Sequence, residues 1–127
     1  MRKLVLYDQI ASQDKIVWKI SPMEVDSTVS ARGVVPVESA WFDGHFPGTP
    51  ILPGVAQLAM VVDILAETLG RTVTVARASR IRFKSAIRPG DEVTVEIKPK
   101  TGDPLSYTFK IARGSEPASG GVITIAE

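Results

Sequence analysis

The chain has no cysteine, and His45 is its only histidine among 127 residues. The absence of cysteine excludes disulfide bonds, thiolate nucleophiles and cysteine-ligated zinc. A lone histidine, without a pair of carboxylates in the surrounding loop, argues against a metal bound by protein side chains. We therefore expect no metal and no cofactor.

Long apolar segments are also lacking. The charged N-terminal start is followed by an apolar run of only four residues, shorter than a signal peptide needs, and no segment approaches the roughly 20 apolar residues of a membrane span. A net charge of +1 predicts no strong attraction to nucleic acid or membranes. We expect a cytoplasmic protein whose residues 1–127 form one domain with its own core.

The apolar residues that are present indicate one long helix among several strands. Apolar side chains at 55, 58, 59, 62, 65, 66 and 69 follow helical spacing, which predicts a helix over 53–69 that ends at Gly70. Segments 16–20, 27–37, 73–87, 92–98, 105–112 and 121–126 have the composition of strands, and 101–104 and 114–120 that of turns. The sequence predicts an α+β domain in which an antiparallel sheet wraps around one central helix.

The loop before the helix contains His45. Three prolines and three glycines lie within residues 43–54, DGHFPGTPILPG, and they restrict the loop to few backbone paths. Histidine is the side chain that titrates near neutral pH. A rigid loop that presents His45 at a helix N-terminus indicates a catalytic site.

Two blocks resemble a known family. GHFPGTPILPGV at 44–55 and RFKSAIRPGD at 82–91 are similar to the signatures of the FabA/FabZ-type β-hydroxyacyl-acyl-carrier-protein dehydratases. The resemblance implies a hotdog fold, and a dimer whose sheets join edge to edge. It also implies two sites at the interface, each with a histidine from one subunit and an acid from the other. The family's helix acid is replaced here by Ala59.

The dehydratase reaction assigns roles to residues near His45. Removing water from a 3-hydroxyacyl thioester requires a base, which would be His45, and a donor for the thioester oxygen. Backbone N–H groups of Gly54 and Val55 suit that donor role, and the missing side chain of Gly54 would let a thioester approach. Phe46 and Trp41 are candidates for substrate binding. Trp41 and Phe42, just before the motif, would line an acyl channel or pack under the loop.

The acid that protonates the leaving hydroxyl has several candidates. Asp63 lies four residues after Ala59 in an apolar setting that favours a protonated carboxyl. The alternative is that Asp63 lies at the helix surface or makes a structural hydrogen bond at an interface. Gln57 can position a hydroxyl but supplies no proton, and a solvated or capping role is its alternative. Glu67, two turns beyond Ala59, should be solvated. The acid could also come from a Glu-bearing paralogue in a heterodimer.

Positive charge is concentrated after the helix. Six cations and no acids lie between Gly70 and Gly90. Arg80, Arg82 and Lys84 alternate with Ile81 and Phe83, which predicts that the three cations share one strand face and that Phe83 is in the core. They would dock an acidic acyl carrier protein, or form an ordinary solvated face. Aromatic residues do not alternate with the cations, which argues against nucleic acid.

We expect a dehydratase-like protein that acts in fatty-acid or related acyl-chain synthesis. Its substrate would be an acyl thioester on acyl carrier protein or coenzyme A, and it would form a homodimer or an oligomer of dimers. Two alternatives stay open. One is a non-catalytic acyl-thioester binder or heterodimer subunit, and the other is an acyl thioesterase on the same fold, with Asp63 activating water.

Overall fold

The computed structural model describes residues 16–22, 28–36, 52 and 54–127. Within them the chain order is β1(Lys19–Pro22), β2(Val29–Val34), α1(Gly54–Leu69), β3(Val75–Phe83), β4(Glu92–Lys100), β5(Asp103–Arg113) and β6(Glu116–Ile125). The strands form one antiparallel sheet in the spatial order β1-β2-β4-β5-β6-β3. The helix packs against this sheet, which confirms the predicted α+β arrangement.

The helix α1 spans Gly54–Leu69, one residue shorter than predicted. It ends because Gly70 adopts a left-handed φ of 68° and its N–H donates to the Ala66 carbonyl at 2.9 Å. The side chains between 56 and 65 are mostly buried, whereas residues 67–69 are exposed. Among the described residues, no helix combines the length and hydropathy needed to cross a lipid bilayer.

The core lies between α1 and one face of the sheet. In β4, Val93, Val95 and Ile97 are buried and the residues between them are exposed or half-buried. This alternation follows from the two-residue period of a strand. Burying each such side chain contributes about 1.5–3 kcal/mol to folding, so the central strands hold the helix in place.

The turns between the later strands are shorter than predicted. Two residues connect β4 to β5 and two connect β5 to β6, instead of the predicted segments 101–104 and 114–120. Gly102 and Gly114 have φ of 82° and 60°, which lets the chain reverse within two residues. Gly121 belongs to β6, where it pairs with Phe109 of β5, and the Ile81 side chain occupies the space where a side chain of Gly121 would lie.

The edge strand β3 is shorter and less regular than predicted. It ends at Phe83 instead of residue 87, and its pairing with β6 shifts register between Ser79 and Arg82. Arg80 lies in this shift with a φ of 55°, which identifies a β-bulge. The bulge interrupts the alternation of side chains, and Lys84 lies beyond the strand. The prediction that Arg80, Arg82 and Lys84 share one strand face is therefore wrong.

Candidate functional site

The predicted site is divided between described and undescribed residues. His45, Phe46 and Trp41 lie outside the described residues, so their roles stay predictions. The described half consists of Leu52, the N-terminus of α1 and the segment that follows β3. These described residues surround the N-terminus of α1, where a ligand could contact the helix.

Leu52 connects the two sequence blocks. Its N–H donates to the carbonyl of Ile87 at 2.7 Å, and both residues are buried. Its carbonyl accepts a longer bond, at 3.4 Å, from Nε2 of Gln57 in the first turn of α1. Leu52 belongs to the first block and Ile87 to the second. The two blocks are therefore joined immediately before the helix begins.

Phe83 lies against the first residue of α1. A Cβ atom added to Gly54 would lie 2.6 Å from the Cζ atom of Phe83 and 3.1 Å from its Cε1 atom. The ring is nevertheless 55% exposed, so the prediction that Phe83 belongs to the core is wrong. Gly54 lacks room for a side chain because the Phe83 ring fills that space. Sequence reasoning assigned this space to substrate alone.

Gln57 is buried, with 4% of its surface exposed. Its Nε2 atom faces the Leu52 carbonyl, which requires a donor and so fixes the orientation of the amide. Within the described part of the chain, Oε1 accepts no hydrogen bond. A solvated Gln57 is therefore excluded. The contact with Leu52 is structural, and a role toward substrate stays a prediction.

Ala59, the position at which the resemblance leads us to expect the family's acid, is enclosed. Ala59 is 2% exposed on the buried side of α1. Asp63 is half-buried one turn later, about 6 Å further along the helix axis. Glu67 is exposed, as predicted. Of the carboxylates described on α1, Asp63 is thus the one closer to Ala59.

Arg80, Arg82 and Lys84 are exposed near the end of β3. The ion pairs found among the described residues join Arg32 to Glu92 and Arg113 to Asp91 and Glu116, and none involves these three cations. Because Phe83 contacts Gly54, the end of β3 lies beside the start of α1. Exposed positive charge therefore flanks the candidate site.

Sequence comparison links the chain to dehydratases. The model of the ApeI-like family, described as ApeI dehydratase, matches residues 21–121. A 3-hydroxyacyl-[acyl-carrier-protein] dehydratase FabZ of Caldicellulosiruptor saccharolyticus is 35% identical over 85 residues, which cover 60% of this chain. The match spans 61% of that relative's own length.

Structural comparison agrees with the sequence comparison. A chain of the dehydratase heterocomplex ApeI:P from Xenorhabdus doucetiae matches with a TM-score of 0.76 and 23% identity, covering 89% of this chain and 99% of the other. An uncharacterized protein from Erwinia carotovora subsp. atroseptica matches with a TM-score of 0.70 and 28% identity, covering 88% and 96%. These likenesses confirm the predicted hotdog fold. Since the family model also covers most of its length, the chain belongs to the ApeI-like dehydratase family.

Proposed function

We propose that the chain removes water from 3-hydroxyacyl thioesters to give trans-2-enoyl thioesters, in fatty-acid or related acyl-chain synthesis. The junction of the two sequence blocks at the start of α1 carries this proposal. The Leu52–Ile87 hydrogen bond and the contact of Phe83 with Gly54 fix the helix N-terminus directly after the loop that holds His45. This is where a dehydratase needs an oxyanion donor beside a base.

The reaction follows from the chemistry of these groups. His45 takes the C2 proton, and electron density moves onto the thioester oxygen. The N–H groups of Gly54 and Val55 stabilise that oxygen, because the first N–H groups of a helix have no acceptor within it. The first turn of α1 has no acidic residue to oppose the developing negative charge. The C3–O bond then breaks, and an acid protonates the hydroxyl as it leaves as water.

Asp63 is the acid that this chain itself offers. It is half-buried, but its distance from the Ala59 position requires a shifted substrate or a bridging water. Hydration of an enoyl thioester, the reverse reaction, can be followed by ultraviolet absorbance. We expect His45→Ala and Asp63→Asn each to lower the rate by about 10²–10⁴-fold, and Glu67→Gln, on the exposed last turn, to leave it unchanged.

Three outcomes of this assay would count against the proposal or its assignments. Full activity in His45→Ala would reject the base. Full activity in Asp63→Asn would reject Asp63 as the acid. Hydrolysis of the thioester in place of hydration, lost in Asp63→Asn, would favour the acyl thioesterase alternative.

A second candidate function is that of a subunit whose site is completed by a Glu-bearing paralogue, or of a binder without catalysis. The resemblance places the family's acid at Ala59, whose buried methyl side chain cannot supply a proton, and this supports the second candidate. Ala59→Glu tests this, because a homodimer would then carry an acid in both sites. We expect the variant to gain hydration activity, whereas Ala56→Glu, equally buried on the same helix, should gain none. Equal results for the two variants would contradict an acid at position 59.

Two kinds of partner belong to the proposal. Arg80, Arg82 and Lys84 would receive an acidic acyl carrier protein beside the site, with coenzyme A thioesters as smaller substrates.

Within the described residues, the outer side of β3 has no neighbouring strand, and most of its side chains are exposed. An open strand edge of this kind pairs readily with another chain. We therefore propose a dimer that forms along β3.

A further inference from the structure

We infer that Phe83 sets the specificity of the site by restricting the space beside C2 of the acyl group, so that the preferred thioesters are unbranched at C2. This inference rests on the proposed function, since it places the thioester oxygen at the N–H groups of Gly54 and Val55. It adds a residue and a substrate class to that proposal.

The Phe83 ring is held in place but remains accessible. One side lies against Gly54, and its strand position is fixed because Phe83 pairs with Ser119 of β6. The next residue, Lys84, donates its N–H to the Ala118 carbonyl at 2.8 Å. The ring is still 55% exposed, and Val55, the residue after Gly54, is 49% exposed. A large aromatic ring in such a position can contact a ligand.

The position of the ring determines what part of a thioester it meets. An oxygen that accepts a bond from these N–H groups lies about 3 Å from their nitrogens. The carbonyl carbon of the thioester and its C2 atom are one and two bonds from that oxygen. They therefore lie over Gly54, the residue that the Phe83 ring already covers. Methylene groups of an unbranched chain can pack on the ring and on Val55. A methyl branch at C2 would overlap the ring or tilt the carbonyl away from its donors.

Two isomeric probes isolate this effect. Butyryl-CoA and isobutyryl-CoA have the same atoms and differ in branching at C2, and neither can be dehydrated. By calorimetry, we expect the native chain to bind butyryl-CoA about tenfold more tightly than isobutyryl-CoA. Phe83→Ala should bring the two affinities together, and Phe83→Leu should retain part of the difference.

A substitution at Gly54 provides a coupled test. A side chain at this position displaces the ring toward the ligand, so Gly54→Ala should weaken binding of both probes. In the Gly54→Ala/Phe83→Ala double variant the ring is gone, and butyryl-CoA binding should recover. Residues in contact show such non-additive effects, whereas independent positions do not. The melting temperature of each variant confirms that it is folded.

The outcomes separate this inference from the proposed function. If Phe83→Ala changes both affinities by the same factor, the ring has only a packing role and the inference is overturned. If the native chain binds neither probe, the thioester site itself is rejected, and the inference with it. If binding discriminates between the probes but no dehydration occurs, the inference stands and the proposed reaction is rejected.

Discussion

Two residues of α1, Gly54 and Ala59, are important because their side chains are absent or short. Gly54 has no side chain, so the ring of Phe83 can lie against the helix. Ala59, at which the resemblance leads us to expect the family's acid, is buried and has only a methyl side chain. The missing side chain of Gly54 leaves room for the Phe83 ring, and Ala59 cannot supply the proton that the proposed dehydration requires.

Asp103 offers a pH-dependent test of stability at one residue. The pKa of the Asp103 carboxyl is lowered, mainly because the Ser106 hydroxyl donates a hydrogen bond to it at 2.7 Å and the Leu105 N–H donates another. The positive charges of Lys100 and Arg77 add to this lowering, and burial opposes it. A lowered pKa means that the folded state favours the carboxylate. This stabilisation is present above the unfolded pKa of about 3.9 and is lost as pH falls through the folded value.

We therefore expect Asp103→Asn to lower the melting temperature at pH 7, and the difference from the native chain to shrink below about pH 4. Melting curves between pH 7 and pH 3 measure both. Glu96→Gln, an exposed change on β4, serves as the control. A difference that stays constant across this range would show that the carboxylate charge does not stabilise the fold.

Among the elements, α1 was the most predictable and β3 the least. The helix follows a regular apolar period that ends in glycine, so local sequence defines its bounds within one residue. The bulge in β3 depends on the backbone of Arg80 and on pairing with β6, which no local pattern reveals. For the same reason the alternation could not show that Arg80 lies in a bulge or that the strand ends before Lys84.

The end of β3 also carries the proposed carrier-docking charges. Replacing Arg80, Arg82 and Lys84 together by alanine should raise the KM for a carrier-bound substrate about tenfold, because favourable charge pairing with the carrier is lost. The KM for the matching coenzyme A thioester should change little. Lys110→Ala, an exposed lysine on β5, is the matched control. An equal rise for both substrates would contradict carrier docking.

At the level of the whole molecule, sequence and structure agree that, in the described residues, one helix packs against one antiparallel sheet. The junction between Leu52 and Ile87 was not predictable, since the partners are far apart in the sequence and meet only in the folded chain. The histidine side of the site lies outside the described residues, and so its geometry stays a prediction. The residue types of both blocks nevertheless identified the family.

The proposed dimer along β3 can be tested by a substitution on that strand. If a dimer forms along β3, Ala78→Arg should convert it to a monomer. Ala78 is exposed on that edge strand, so the arginine would bury a large charged side chain in the dimer interface. Sedimentation velocity measures the change. Glu96→Arg, on a strand inside the sheet, should leave the dimer intact. A dimer that survives Ala78→Arg would place the interface elsewhere.

Mass spectrometry of a 3-hydroxyacyl thioester incubated with the purified chain tests directly whether the chain removes water. We predict loss of one water with the thioester intact, and no such loss with His45→Ala. Release of a free acid and a thiol would contradict the dehydratase account in favour of hydrolysis. An unchanged substrate, even with Ala59→Glu, would contradict the proposed dehydration.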